Sequence, residues 1–388
     1  MSIVKKKYAE DGVDVVEGDS FSSFAGALCR STYNNSPYVE IRDFSRGHFR
    51  GPRVFRLKGL PVDCWIDAVP DGDGTKVVLT DAAGDYDNAA YGWIAMTCGD
   101  ITRWGGLPLV LLNNLDTETI GKLGDPVNTA FRAMMRSVKR IADENQLVMY
   151  KDETAELPGC VTSPNPNALT KYLWSGVAIG ACNPETIITG DQIQSGMSVM
   201  ALRELGLRNN GISSGRKSLA MEFGNDYYSK PAAREAINKA ARHAVLYDKF
   251  LATANGWFAK DFKPLIRSFL NVHLTGGALK SKFAEDILFP RGLSARLDNL
   301  WDPPEIMRQC AKWRGMSDEE CYETWHGGQG VLSVIDASNE QRFIDMAASF
   351  GIEARRAGEI TYEVAPIVTV ESKFTGKTIS WFAPVELP

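Results

Sequence analysis

Between Pro126 and Asn145 the apolar residues fall at Val127, Ala130, Phe131, Met134, Met135, Val138, Ile141 and Ala142. That 3.6-residue repeat predicts a helix lying on a sheet, and Pro126 suits its first turn. A second helix is predicted over 88–104, closed by Gly105-Gly106, and a long one from Pro231 to about Leu251. Apolar runs predict strands over 62–69, 107–112, 147–150, 172–182, 198–203, 269–274 and, as the last one, 366–372. Residues 76–80 read as a strand too, joined to 62–69 by the turn Asp71-Gly72-Asp73-Gly74. The interval 154–171, with Pro158, Pro164 and Pro166, reads as a loop. Ser317 with Glu320, and Ser338 with Gln341, have capping-box spacing, and Gly351 closes the helix after the second. Punctuation at Asn183-Pro184 and Thr189-Gly190-Asp191 places a domain boundary there, giving α+β units at 1–185 and 186–388.

Composition narrows the function classes. The chain has 388 residues, 43 basic against 48 acidic, a net charge of −5. A mildly acidic balance argues against a dedicated nucleic-acid binder, which needs a basic surface. No apolar stretch approaches the roughly 18 residues that span a bilayer, and Lys5-Lys6-Lys7 lead into no apolar segment that would make a signal peptide. The seven cysteines form no CxxC pair, and none of the four histidines has zinc-finger spacing to them. These features predict a cytoplasmic protein with no membrane partner.

Several polar clusters can carry chemistry. In Asp71-Gly72-Asp73-Gly74-Thr75-Lys76 the glycines admit a ligand close to the backbone, the carboxylates suit Mg²⁺ and the lysine suits phosphate; a plain Asp-Gly hairpin explains the same residues. The spacing is not that of a P-loop. Asp100 stands in an otherwise apolar helix, and Asp152-Glu153 in an acidic stretch read as a loop after a strand; either is a cation ligand or simply solvated. His273-Leu274-Thr275-Gly276-Gly277 offers amides for an anion or is a core histidine before a turn. Asn209-Asn210-Gly211 and His326-Gly327-Gly328 read equally as ordinary turns, and Arg46, Arg50 and Arg53 as phosphate partners or a solvated basic face.

Taken in order, these segments resemble the aminoimidazole ribonucleotide synthetase (phosphoribosylformylglycinamidine cyclo-ligase) family. The likeness runs through Tyr8-Ala9-Glu10-Asp11-Gly12-Val13-Asp14, residues 71–76, Gly99-Asp100, Gly105-Gly106-Leu107-Pro108-Leu109 and Glu153-Thr154-Ala155-Glu156-Leu157-Pro158-Gly159. It continues through Gly190-Asp191, Asn210-Gly211, residues 273–277 and residues 324–330. The chain departs from the family pattern at several places. Asp73 replaces a valine, Gly99 an asparagine and Asp152 a glycine. Asn113 takes the place of an aspartate, Arg208 that of a histidine and His326 that of an asparagine.

The resemblance implies a two-domain synthetase. Its N-terminal sheet would close a barrel across a homodimer, and its C-terminal domain would be an α/β sandwich. It implies ATP and Mg²⁺ as cofactors, and conversion of formylglycinamidine ribonucleotide to aminoimidazole ribonucleotide with release of ADP and phosphate. The alternative is a divergent superfamily member activating a different small amide or amine. On this pattern Asp71, Asp100 and Glu153 hold the metal, and Asp71, Gly72, Gly74, Thr75, Lys76, Gly276 and Gly277 hold the nucleotide. Arg208, Asn210 and His273 meet the substrate, and Lys76, Asp100 and His273 serve catalysis.

Overall fold

The computed structural model describes residues 15–44, 52–61 and 63–384. The Tyr8–Asp14 motif, Arg46, Arg50 and Val62 lie outside them. The chain divides into two compact units, one of residues 1–101 and 107–184, the other of residues 102–106 and 185–388.

The first unit begins with α1 (Val15–Ser31) and a hairpin of β1 (Val39–Asp43) and β2 (Arg53–Leu57). Its main sheet contains β3 (Trp65–Gly72), β4 (Leu107–Thr117), β5 (Val148–Glu156) and β6 (Tyr172–Cys182), in the order β3-β6-β4-β5. Between these run α2 (Lys76–Ala83), α3 (Tyr91–Thr102) and α4 (Pro126–Asn145). The apolar stripe of α4 is buried from Ala130 to Ala142, as its repeat requires. Helices cover one face of the sheet: Trp93 of α3 lies 6.0 Å from Trp174, and Phe131 of α4 lies 6.0 Å from Tyr172. The opposite face carries Ile66, 57% exposed, and Leu173, 56% exposed.

Close packing of α3 on the sheet depends on Gly176. A Cβ there would lie 2.3 Å from the Trp93 ring and 2.8 Å from the Leu112 carbonyl oxygen. Gly176→Ala is therefore expected to destabilise the protein by about 1–3 kcal/mol through overpacking. A urea midpoint equal to wild type would show that α3 can move aside.

The second unit is built on a sheet of β7 (Ser198–Arg203), β8 (Ser268–His273), β9 (Ser294–Leu297), β10 (Gln329–Ile335), β11 (Ala354–Thr361), β12 (Ile367–Glu371) and β13 (Thr378–Phe382). The order is β13-β12-β9-β11-β7-β10-β8, antiparallel except where β12 meets β9. Alternate residues of β7 enter different cores. Val199 and Ala201 join Phe283, Leu288 and Val334, whereas Met200 and Leu202 join Tyr247, Phe250 and Phe343. Side chains two apart share a face, so this sheet is covered on both sides.

Several expectations are corrected. Residues 76–80 form helix α2, not a strand: Val77, Val78 and Thr80 favour a strand locally, but Val78, Leu79 and Ala82 are buried at helical spacing and Gly84 caps the end at φ 73°. The acidic run after Tyr150 is no loop, since β5 continues to Glu156 by parallel pairing with β4. The helix expected over 231–251 breaks into α6 (Arg234–Ala241) and α7 (Asp248–Ala254). In the gap, the Val245 amide donates to Glu204 and the Val245 carbonyl accepts from Arg208, bonds a continuous helix would not free. Ser317 with Glu320 forms the capping box that begins α9 (Asp318–Thr324). Ser338 instead sits in a 3₁₀ turn, and Asn339 occupies the N-cap of α10 (Glu340–Ser349). The last strand is β13, beyond the one expected.

Candidate active site

In the first unit, β3 delivers Asp71 at its end, where the Gly72 amide donates to Asp71 Oδ1 at 2.6 Å. Gly72 packs against β6, a Cβ there lying 3.0 Å from the Trp174 carbonyl oxygen. Gly74 turns the chain at φ 55°, with open space where a side chain would stand, and Thr75 is the N-cap of α2. Asp73 and Lys76 are buried, at 3% and 4% exposure. The Asp71 carboxyl is held above the usual carboxylate range. Burial raises it most, the Gly72 amide pulls it back, and the negative charge of Asp100 pushes it up again. Asp71 and Asp100 thus face one another electrostatically.

Sheet register decides which other residues join them. Asp71 pairs with Gly176, Gly176 with Asn113, and Asn113 with Asp152. This row lies on the helix-covered face, where Asp152 accepts a bond from Cys29 Sγ of α1 at 3.2 Å. Glu153 is the next residue along β5 and so points to the opposite, exposed face. The expected triad Asp71, Asp100 and Glu153 therefore does not assemble within one chain. Among the described residues no three His, Cys, Asp or Glu side chains form a metal-holding group.

The sequence marks Asn113 only as a lost carboxylate. It is 5% exposed, and neither polar atom of its amide has a hydrogen-bond partner. With Asp71 it lines a cavity of about 310 Å³. An unbonded buried amide is costly, about 1–3 kcal/mol, unless something occupies the space beside it. Two mutually repelling carboxylates and an amide oxygen are hard donors of the kind Mg²⁺ prefers, particularly when phosphate oxygens complete the shell. The residues present fit that ion with Asp71 and Asp100 as anchors. The alternation of β5 and its pairing with β4 are the only sequence signals that point to this face in place of Glu153.

In the second unit, β7, β10 and β8 are neighbours, and three glycine-containing loops gather at one end of them. They are residues 204–211 after β7, residues 326–328 before β10 and residues 274–277 after β8. Beneath them Glu204 and Arg208 form a buried ion pair at 2.9 Å, both about 1% exposed. Glu204 also accepts from the amides of Leu205 and Val245 and from Tyr247 Oη. Burial pushes its carboxyl up, but Arg208, His326 and these bonds outweigh that and hold it low. Arg208 donates from Nε to His273 Nε2 at 2.9 Å and from Nη1 to the Val245 carbonyl at 2.9 Å. Its backbone is left-handed at φ 55°, a conformation unusual for a residue with a side chain.

Arg208 and His273 are thus interior residues, and neither presents a surface to solvent; Asn210 is half-buried, with Nδ2 unbonded. His326 is fully buried, its Nε2 at 3.0 Å from the Gly206 carbonyl and its Nδ1 accepting from the Gly328 amide. Gly276 has open space around it, and Gly277 turns at φ 82°. A separate cavity of about 500 Å³, lined by residues 185–192 with Asn255, Lys263 and Arg267, holds none of the expected site residues.

No family model matches the chain. It is 28% identical over 357 residues to phosphoribosylformylglycinamidine cyclo-ligase of Bordetella petrii, covering 91% of this chain and 93% of the relative. The enzyme of the same name from a Polaromonas species is 28% identical over 361 residues, covering 93% and 94%. The chain is thus similar over nearly its whole length to phosphoribosylformylglycinamidine cyclo-ligases. Solved structures agree in fold. Thiamine-monophosphate kinase from Stenotrophomonas maltophilia matches with a TM-score of 0.54 at 14% identity, covering 88% of this chain and 94% of that one. Hydrogenase maturation protein HypE in complex with ATP matches with 0.53 at 13%, covering 88% and 90%. T. maritima PurL complexed with FGAR matches with 0.51 at 13%, covering 84% and 46%. Among the described residues no helix is long and apolar enough to cross a membrane.

Proposed function

We propose that the chain is an ATP-dependent cyclo-ligase, converting formylglycinamidine ribonucleotide to aminoimidazole ribonucleotide with release of ADP and phosphate. The observation that carries this reading is the near full-length likeness to cyclo-ligases in a chain that keeps Asp71 and Asp100 facing one another. An amide oxygen is a poor leaving group. Transfer of a phosphoryl group to it converts it to phosphate, which departs as a neighbouring nitrogen closes the ring.

Most of the protein's task is then positioning and charge neutralisation. Asp71 and Asp100 would hold Mg²⁺, which supplies neutralisation of phosphate charge when bound. Asp71, Gly72, Gly74, Thr75 and Lys76 belong to the nucleotide phosphates: the chain turns at Gly74 into the start of α2, where amides and helix dipole favour an anion. Gly276 and Gly277 of the second unit are nucleotide-binding candidates, and Asn210 serves the substrate end, with His273 and Arg208 beneath it. Glu153, on the other face of its sheet, is left out of the metal set.

Purified protein given Mg·ATP and formylglycinamidine ribonucleotide should release one ADP per aminoimidazole ribonucleotide formed. ADP formation only with a different amide or amine, or binding of Mg·ATP with no turnover, would overturn the assignment. We propose also a cytoplasmic homodimer, supported by the uncovered sheet face with Ile66, Pro70 and Leu173 exposed. Light scattering at micromolar concentration should give twice the chain mass; a stable monomer would remove the proposal.

A further inference from the structure

Two positions that depart from the family pattern, Arg208 and His326, meet around Glu204 and His273. Arg208 Nε can only donate, so His273 Nε2 must accept with its lone pair. A neutral imidazole accepting at Nε2 carries its proton on Nδ1, whereas an imidazolium would set two N–H groups against each other. The arginine cannot yield, because its guanidinium stays protonated and Nη1 is bound to Glu204 and the Val245 carbonyl. Glu204 in turn is fixed by two amides and the Tyr247 hydroxyl.

We propose that Arg208, anchored by Glu204, is a positioning residue that locks His273 as the neutral Nδ1–H tautomer. His273 is then a hydrogen-bond donor at the substrate end and not a proton acceptor. The same pair fixes the three loops to one another, since Glu204 and Arg208 lie after β7, His273 ends β8 and His326 precedes β10. The charged or titratable groups tied to Arg208 and the His273 ring include Glu204 from the first loop, Tyr247 from the segment before α7, and His326. None of them supplies an acceptor that would favour imidazolium over the arginine bond. The consequence for catalysis rests on the cyclo-ligase reading; the tautomer does not.

The test is nitrogen NMR of ¹⁵N-histidine-labelled full-length protein, with kinetics alongside. His273 should show a protonated Nδ1 and a bare Nε2, without titrating between pH 7 and pH 5. In Arg208→Gln the Nδ1–H tautomer should no longer be enforced, and the ring should take up a proton at a higher pH than in the wild type. On the proposed substrate, kcat should fall roughly ten- to a hundred-fold with the KM for ATP unchanged. Arg208→Lys should not restore it, because an ammonium lacks the fork that bridges Glu204 and His273. A proton on Nε2, or an imidazolium at pH 6, in the wild type would overturn the proposal, and this spectrum decides even if Arg208→Gln does not fold. A pH–kcat profile of Arg208→Gln that superimposes on wild type would refute the catalytic consequence. Absence of turnover with formylglycinamidine ribonucleotide, alongside the expected spectrum, would count against the cyclo-ligase reading alone.

Discussion

Asp100→Asn is expected to lower ADP production by roughly two orders of magnitude while raising the thermal stability of the unliganded protein. The two effects have one cause. The Asp71 carboxyl is raised by burial and by the charge of Asp100, so its ionised form is disfavoured in the fold relative to the unfolded chain. For a carboxyl with a raised folded pKa, stability is greatest below the unfolded value and declines as pH rises through the folded one. At pH 7 the repulsion between the two carboxylates therefore works against folding. Replacing Asp100 with the isosteric amide relieves it, but also deletes one of the two anchors proposed for the cation. The Tm gain should be visible at pH 7 and should shrink as the pH falls and Asp71 takes up its proton. Equal ADP production by wild type and variant would show that the metal is held elsewhere. Equal Tm values at pH 7 would show that the two carboxylates are screened from one another.

The turn proposed for the nucleotide phosphates is more legible in the sequence than the proposed metal set, for reasons visible in particular residues. Helix α4 and strands β6 and β7 follow directly from apolar spacing, because each buries one face or both. Lys76, Val77, Val78 and Thr80 mislead because their β-branched content matches a strand, whereas the burial of Val78, Leu79 and Ala82 that makes α2 a helix is set by the rest of the unit. Glu153 misleads for a different reason. Residue type alone does not distinguish Asp152 from Glu153; only the register of β5 against β4 assigns them to opposite faces. Arg208 is expected from the family pattern to meet the substrate, and the structure finds its side chain buried against Glu204, Tyr247 and His273. Its partners Glu204, Tyr247 and His273 lie 4, 39 and 65 positions away in the chain, and only the fold brings them together. Asn113 is legible as a departure from a family pattern, but its significance comes from an unbonded amide buried beside Asp71 in the same cavity.

His326 should make the second unit sensitive to acid in a window that the carboxylates do not touch. Burial lowers its pKa to about 4 from an ordinary value of 6.5; Glu204 opposes the change, and Arg208 adds to it. The unfolded chain therefore takes up a proton near pH 6.5 that the folded chain refuses until about pH 4. Stability rises with pH wherever the unfolded state binds more protons, so this contribution is complete above pH 6.5 and is lost as pH falls toward 4. The full loss is about 3 kcal/mol, since each tenfold change in proton affinity is worth about 1.4 kcal/mol. Glu204 has the opposite chemistry but the same sign: its folded carboxyl is held low, so its contribution is lost only below the unfolded value of 4.5. Between pH 6.5 and 4.5 the slope therefore belongs to the buried imidazoles, His326 and, on the proposed tautomer, His273, and not to Glu204. His326→Asn, which installs the residue usual in the family, should remove the His326 share of this slope and leave that of His273. It should also cost about 1–2 kcal/mol at pH 7, because the shorter amide gives up the bonds to the Gly206 carbonyl or the Gly328 amide. Urea unfolding at pH 7, 6 and 5, read by hydrogen exchange in β7 and β10, should therefore show the two proteins converging as pH falls. A difference that stays constant across that range would mean that the buried imidazole is charged or that water reaches it, and the acid sensitivity of this unit would have to come from another group.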